Sequence, residues 1–285
     1  IIFENEPIKK ESTNMKMYQV DAFTKELFRG NPAAVIVGKE WPDADLMQKI
    51  ALENNLSETA FVKIIDSENY EIRWFTPTVE VDFCGHATLA SAFVLFKDFT
   101  EKKTLNFHVR NLGLFVVHQD EDGKIRMDFP IRKAQQVEDY PAILRQALTK
   151  PFKAVYQNVQ AYIVEYESVQ DVLDEQPDMN LLKALGKRTA ITTTAMDVAI
   201  TSKADDQYDC ISRYFAPVAG IDEDPVTGSI HTAIAPLWAE KLAKNNIVAY
   251  QASSRGGVLY CNVLNQERIE ISGYGKLYMQ AEIFP

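Results

Sequence analysis

Two stretches of this chain share one order of hydrophobic and polar positions. Residues 70–77 alternate between polar and apolar side chains, as a half-buried strand does, and a helix-like apolar run follows Gly85. Residues 211–217 repeat the alternation, and a second helix-like run over 230–244 follows Gly228. The pattern therefore predicts the same order twice: strand, proline turn, acid, glycine, helix.

Matching residues within this pattern indicate an internal duplication. Arg73 and Arg213 lie at corresponding places about half a chain length apart, and Asp82 and Asp224 supply the acid in each copy. Each half is then expected to form one lobe with its own core, as the length of the chain also suggests.

The predicted boundary follows a strand-like run that ends near residue 129. We assign residues 17–128 to an N-terminal lobe and residues 129–285 to a C-terminal lobe, and the final strand can return to the N-terminal lobe. Residues 1–16 are polar and without period, so they are predicted to lie outside the fold.

The remaining periodicity predicts mostly strands. An amphipathic helix is predicted over residues 43–54. Strands are predicted at 17–23, 33–37, 59–65, 104–109, 114–118, 124–129, 161–166, 197–200, 248–252, 257–263, 268–272 and 276–283. No regular alternation of strand and helix is present, which argues against a doubly wound sheet. The predicted class is α+β, with two pseudo-symmetric lobes that each wrap a barrel-like, mostly antiparallel sheet around a central helix.

Charge and composition exclude several functions. The net charge is −10 with no basic cluster, so neither nucleic acid nor an anionic membrane is an expected partner. No apolar run is long enough to cross a bilayer, which favours a cytoplasmic protein. Three cysteines without CxxC spacing and four histidines without HExxH spacing predict no metal, and the absence of GxGxxG predicts no nucleotide cofactor.

The two predicted helix starts are the first candidates for chemistry. Gly85-His86 and Gly228-Ser229 each place a glycine and a polar residue where unpaired N–H groups and a partial positive charge favour an anion. Two facing starts could clamp one small anionic substrate. The alternative is that His86 and Ser229 only cap their helices.

Two carboxylates are the candidates for acid–base work. Asp224 adjoins Pro225 at the turn into the second helix, although the acidic loop around it could simply be solvated. Glu58 lies between an amphipathic helix and an apolar strand, where partial screening suits a proton-transferring group. The alternative for Glu58 is a surface position at a strand entry.

Seven short motifs together resemble the phenazine-biosynthesis PhzF-like isomerase family, which is related in fold to diaminopimelate epimerase. They are YQVDAF at 18–23, GNPA at 30–33, LSET at 56–59, FTP at 75–77, CGHAT at 84–88, DPVTGS at 224–229 and RGG at 255–257. The resemblance implies a homodimer whose active sites lie between the lobes, and catalysis without a cofactor.

The resemblance also assigns roles to residues. It implies that Glu58, His86 and Asp224 are catalytic, with Glu58 as the general acid/base. It implies that four further residues bind the substrate: Ser57, Gly85, Gly228 and Ser229. The family's namesake moves a hydrogen between ring carbons of trans-2,3-dihydro-3-hydroxyanthranilate.

Two other functions remain open at this stage. The related epimerases use two opposed cysteines, and Cys84 occupies the first thiol position, whereas Pro225 or Val226 is expected at the second. One alternative is therefore an amino-acid epimerase-like activity through Cys84. The other is a non-catalytic relative that binds a small molecule.

Overall fold

The computed structural model describes residues 14–185, 197–204 and 207–285. The first strand begins at Met15, which pairs with Ile283, and Lys16 pairs with Glu282. Residues 15 and 16 therefore belong to the fold, and the prediction that they lie outside it was wrong because the partner strand at the end of the chain extends beside them. The rest of that predicted extension, residues 1–13, lies outside the described residues.

The described elements are strands, six α-helices and a short 3₁₀ turn. The first eight strands are β1 Met15–Ala22, β2 Asn31–Gly38, β3 Glu58–Ile64, β4 Asn69–Phe75, β5 Glu80–Val81, β6 Thr104–Val109, β7 Gly113–Gln119 and β8 Ile125–Pro130. The others are β9 Gln135–Val137, β10 Ala154–Gln157, β11 Ala161–Glu165, β12 Asp197–Lys203, β13 Cys210–Phe215, β14 Asn246–Gln251, β15 Gly257–Val263, β16 Arg268–Gly273 and β17 Gly275–Ile283. The helices are α1 Ala44–Asn54, α2 Gly85–Asp98, α3 Ala142–Ala147, α4 Val169–Asp174, α5 Met179–Leu185 and α6 Gly228–Leu242, and the 3₁₀ turn is Pro217–Ala219.

Strand pairing repeats itself between the halves. In the first, β1 is antiparallel to β2, β2 is parallel to β3, β3 is antiparallel to β4, and β4 is parallel to β6. In the second, β10 to β14 follow the same sequence of directions. The antiparallel strands β7 and β8 then correspond to β15 and β16. This correspondence supports the duplication that the sequence pattern indicates.

Two strands connect the halves through the sheet. Strand β8 pairs with β7 on one side and with β16 on the other. The last strand, β17, pairs antiparallel with β1 of the first half, just as β9 pairs antiparallel with β10 of the second half. The end of the chain is therefore part of the sheet of the first half.

Each half surrounds one helix that is buried on nearly all sides. The buried residues of α2 run almost without a break through its first three turns, and those of α6 do the same. A helix that is apolar all round is stable only inside a core, and the many alanines on both helices let strands approach closely. The predicted α+β class with a sheet around a central helix is confirmed.

Short elements account for most of the differences from the predicted elements. Helix α1 begins one residue later than predicted, while α3, α4 and α5 were not predicted because six or seven residues give too little period. None of the described helices has both the length and the apolar character needed to cross a bilayer.

A contact between the halves fixes the loops that border the cavity described below. The Arg255 guanidinium donates 2.8 Å hydrogen bonds to the Asp21 carboxylate and to the Gly30 carbonyl. Gly30 has φ +68°, and a Cβ there would lie 2.1 Å from the Ala22 carbonyl oxygen, so only glycine fits. These bonds hold the start of β2 against the second half, which places Asn31 beside Asp224.

Candidate active site

A small cavity of about 180 Å³ lies where the N-termini of α2 and α6 meet. Six of the seven residues that the sequence nominated line it: Glu58, Gly85, His86, Asp224, Gly228 and Ser229. Ser57 precedes Glu58 in the chain and is not among the described lining residues. Apolar side chains, among them Phe83 and Ile221, cover part of the wall.

The N-cap residues of α2 and α6 show whether His86 and Ser229 cap their helices. The N-cap residues are Cys84 and Thr227, and neither side chain bonds a backbone N–H group of its helix. His86 and Ser229 each lie second in the helix, so they are not the caps. Because the first amides of a helix have no acceptor within it, both starts can offer N–H groups to an anion in the cavity.

The same caps correct the expected counterpart of Cys84. Thr227, and not Pro225 or Val226, is the counterpart of Cys84, because each is the N-cap of its helix and the loop before α6 is longer than the loop before α2. Asp82 and Asp224 are not equivalent either, since Asp82 is exposed and lies three residues before its helix instead of four.

Glu58 and His86 form a close pair at the cavity. Oε2 of Glu58 lies 3.1 Å from Nε2 of His86, and the two side chains are 14% and 7% exposed. Although the atoms are close, the geometry is not that of a hydrogen bond, and neither atom has a hydrogen-bond partner among the described residues. The two groups therefore form a buried ion pair whose hydrogen-bonding capacity is not used within the described protein, and a ligand in the cavity could use it. Glu58 is therefore not a solvated surface residue.

His86 also contacts Cys84 through its other ring nitrogen. The Cys84 sulfur lies 3.4 Å from Nδ1. Burial opposes the charged imidazole, but the contacts with Cys84 and Glu58 outweigh it and hold the pKa of His86 well above its usual value. Burial, together with the nearby Glu58 carboxylate, raises the pKa of the Cys84 thiol. With the thiol neutral, the Glu58 carboxylate is the negative charge that favours a protonated His86.

These three side chains form the one potential metal cluster among the described residues. Their ligand atoms lie within 4.8 Å of one another. However, Cys84 approaches Nδ1 of His86 while Glu58 approaches Nε2, and the lone pairs of these nitrogens point away from each other. One ion cannot bind all three groups without a rotation of the ring, so the arrangement is a poor metal site.

Asp224 is held from both halves of the molecule. Its carboxylate accepts a 2.9 Å hydrogen bond from Nδ2 of Asn31 and another from the hydroxyl of Thr227. Its backbone carbonyl accepts a 2.7 Å bond from Gln251. Burial raises the pKa of Asp224 to about 6, against the opposing influence of His86 and Thr227. Asp224 can therefore gain or lose a proton near neutral pH.

Sequence reasoning missed the residues that support these groups. Asn31 lies in the GNPA motif, which served only for recognition of the family, and no local pattern distinguishes Gln251, Tyr214, Gln160 or Asp197. Burial raises the pKa of Asp197 to about 6, although a hydrogen bond from Tyr214 opposes this shift.

His231 gives a signed prediction for stability. It is fully buried, its Nδ1–H donates to the Thr227 carbonyl at 2.8 Å, and burial lowers its pKa to about 4. Between pH 6.5 and 4 the histidine of the unfolded chain binds a proton that the buried histidine of the folded protein does not bind. The free energy of unfolding therefore falls as pH falls, by on the order of 3 kcal/mol in total. We expect His231→Gln to lose this component, so that its melting temperature declines less than that of the unaltered protein over this range. Equal declines would contradict the prediction.

The fold and cavity define a class: a two-lobed α+β protein with a carboxylate and a histidine between two helix starts. The chain belongs to the phenazine biosynthesis-like protein family, PhzC-PhzF, which matches residues 20–281.

Relatives and a solved structure agree with this membership. The chain is 42% identical over 270 residues to an uncharacterized isomerase of Pseudomonas aeruginosa, covering 94% of this chain and 98% of that protein. It is 39% identical over 269 residues to an uncharacterized isomerase of Halalkalibacterium halodurans, covering 94% and 97%. The crystal structure of a PhzF family protein from Enterococcus faecalis superimposes with a TM-score of 0.87 at 38% identity, covering 95% and 100%. The predicted family and the predicted isomerase class are confirmed.

Proposed function

We propose that this protein is a cofactor-independent isomerase that shifts a proton on a small carboxylate-bearing substrate, with Glu58 as general acid/base. The observation that carries the proposal is the buried ion pair of Glu58 and His86 in a cavity between two helix starts, in which Oε2 of Glu58 and Nε2 of His86 make no hydrogen bond within the described protein. A pair left open in this way fits a substrate group that completes it.

In the proposed reaction the substrate's carboxylate accepts N–H groups from the starts of α2 and α6. Glu58 takes a proton from carbon as the C–H bond breaks, and the electron pair moves into the adjacent unsaturated group of the substrate. The proton then returns to a different carbon, so no oxidant or reductant is consumed. Protonated His86 stabilises the negative charge that develops on the substrate. Ionised Asp224 accepts a hydrogen bond from the substrate.

The size of the cavity supports this chemistry. About 180 Å³ admits one small molecule and few waters beside it, so a bound substrate would displace most of the water at the helix starts. The apolar wall at Phe83 and Ile221 suits the carbon skeleton of a cyclic substrate. We further propose, from the resemblance alone, a cytoplasmic homodimer.

The function is tested by incorporation of solvent deuterium. Unaltered protein is incubated in D₂O with a panel of small cyclic and amino-bearing carboxylates chosen for their thermal stabilisation of the protein, and NMR follows deuterium at carbon. A ligand at 100 times its dissociation constant stabilises by about 2.7 kcal/mol, which is readily measured. Stabilisation without any exchange would favour the non-catalytic binding protein.

Cys84→Ala separates proton transfer by Glu58 from an epimerase-like activity through the thiol. We expect the variant to keep exchange within about threefold of the unaltered rate, because the thiol is held neutral and the Glu58 carboxylate still favours protonated His86 after the thiol is removed. Cys261 is also buried and does not line the cavity, so Cys261→Ala controls for loss of packing. Loss of exchange confined to Cys84→Ala would support the epimerase-like alternative.

A further inference from the structure

We propose that a hydrogen-bonded chain of Asp197, Tyr214 and Gln160 fixes the Ser229 hydroxyl as a donor to the anionic group of the substrate. The proposal rests on the function proposed above, because it concerns the same cavity. Gln160 acts through Ser229 and is therefore a positioning residue.

The chain is continuous in its geometry. Nε2 of Gln160 lies 2.9 Å from the Tyr214 hydroxyl and 2.9 Å from Oγ of Ser229. The Tyr214 hydroxyl in turn lies 2.5 Å from Oδ2 of Asp197. Tyr214 and Ser229 line the cavity, whereas Gln160 and Asp197 stand behind them.

The direction of each hydrogen bond follows from the ends of the chain. The guanidinium of Arg132 can only donate, and its Nη1 lies 3.2 Å from Oε1 of Gln160, so the amide NH₂ of Gln160 faces Tyr214 and Ser229. Tyr214 gives its single hydrogen to the carboxylate of Asp197, so its oxygen accepts from Gln160. Oγ of Ser229 likewise accepts from Gln160.

Ser229 is thus left with one free hydrogen. Among the described residues Oγ of Ser229 has no other partner, so its O–H is free to donate to an acceptor in the cavity. A carboxylate or an enolate-like oxygen in the cavity would provide that acceptor. A substrate with only donor groups at this point would place its own hydrogen against the hydrogen of Ser229, and neither would have an acceptor.

The backbone holds Gln160 and Arg132 together. Pro236 lies inside α6 and has no N–H group, which leaves the Thr232 carbonyl one turn earlier without its helical donor. The backbone N–H of Arg132 donates to this carbonyl at 3.2 Å. Asn158 joins the two segments, because its side chain donates to the Arg132 carbonyl and accepts from the backbone N–H of Gln160, both at 2.9 Å.

The duplication supports the hydrogen-bonded chain independently, because its first residue, Asp197, corresponds to Glu58 of the first half. Asp197 begins β12 as Glu58 begins β3, and the strand registers show that the two positions correspond. Glu58 directly precedes the residue that pairs with Phe75 at the end of β4, and Asp197 directly precedes the residue that pairs with Phe215 at the end of β13. Ser229 corresponds in the same way to His86. In the first half the carboxylate contacts the histidine directly, whereas in the second half it acts on the serine through Tyr214 and Gln160.

A double-mutant cycle tests the chain. The dissociation constants of benzoate, 2-aminobenzoate and cyclohexanecarboxylate are measured by calorimetry for the unaltered protein, Gln160→Leu, Ser229→Ala and the double variant. We expect Gln160→Leu to weaken binding about tenfold by itself and by less than twofold in the Ser229→Ala background. Gln160→Glu should weaken binding at least as much as Gln160→Leu, because a carboxylate would accept the hydrogen of Ser229.

Gln136→Leu, on the exposed strand β9, is the matched control and should bind as the unaltered protein does. If Gln160→Leu fails to fold, Tyr214→Phe enters the same cycle, since it removes the hydroxyl that orients Gln160. If Gln160→Leu weakens binding equally with and without the Ser229 hydroxyl, the proposal of a hydrogen-bonded chain is wrong, although the proposed function is unaffected. Failure of the unaltered protein to bind any of the three carboxylates would contradict the proposed function itself.

Discussion

Replacement of Glu58 by glutamine should lower the exchange of solvent deuterium into substrate by about a thousandfold while the protein remains folded. The amide keeps the size of the side chain but has no useful basicity, and general acid–base groups typically contribute 10²–10⁴ in rate. Oε2 of Glu58 makes no hydrogen bond within the described protein, so the substitution removes the ion pair with His86 but leaves no hydrogen-bond donor without its acceptor. The measurement is the NMR exchange rate at saturating carboxylate, beside the melting temperature.

Glu53→Gln is the matched control for this experiment. Glu53 lies on the exposed side of α1 and should tolerate the same chemical change with unchanged exchange. Binding of the carboxylate to Glu58→Gln should change by less than about tenfold, so that the defect is mainly in kcat. Exchange at the unaltered rate in Glu58→Gln would remove the carboxylate from the mechanism and with it the proposed function.

The helix starts could be predicted from the sequence because their signals are local. Gly85 and Gly228 open apolar runs that are long enough to show a helix, and the polar residue after each glycine identified His86 and Ser229. Glu58 was found in the same way, since it stands at the junction of a helical and a strand-like period. Each of these positions is marked by neighbours within about ten residues.

The supporting residues could not be predicted because their partners are distant in sequence. Asn31 reaches Asp224 across 193 positions, and Gln160 reaches Ser229 across 69. Neither residue lies in a pattern that differs from an ordinary turn or strand end. The counterpart of Cys84 was misplaced for a related reason: the loops before α2 and α6 differ in length, and only the helix caps fix Thr227 as its equivalent.

The two halves share a backbone but contribute different chemistry. The first half presents a carboxylate and a histidine in direct contact, and the second presents a serine and an aspartate held by bonds from both lobes. A symmetric site would suit removal and return of a proton at one carbon. The asymmetry favours transfer between two different carbons, which is the reaction proposed here.

Replacement of Asp224 by asparagine should lower exchange by about a hundredfold or more and yet stabilise the fold near neutral pH. The raised pKa of Asp224, about 6, means that the folded protein binds a proton more tightly than the unfolded chain between pH 3.8 and 6. Ionisation of Asp224 therefore costs stability as pH rises through this window, and the cost persists at pH 7. Asparagine carries no charge and avoids it.

The sign of the difference is the test. We expect the melting temperature of Asp224→Asn, relative to the unaltered protein, to increase from pH 4 to pH 7, by the equivalent of roughly 1–2 kcal/mol after allowance for partial exposure of the side chain. Exchange by the unaltered protein should fall as pH drops through 6, because ionised Asp224 is the acceptor, and the residual exchange of the variant should lack this limb. Asp222→Asn, an exposed neighbour in the same loop, should change neither quantity. A variant that loses activity and also loses stability as pH rises would show that Asp224 supports the fold and is not the strained acceptor of the reaction.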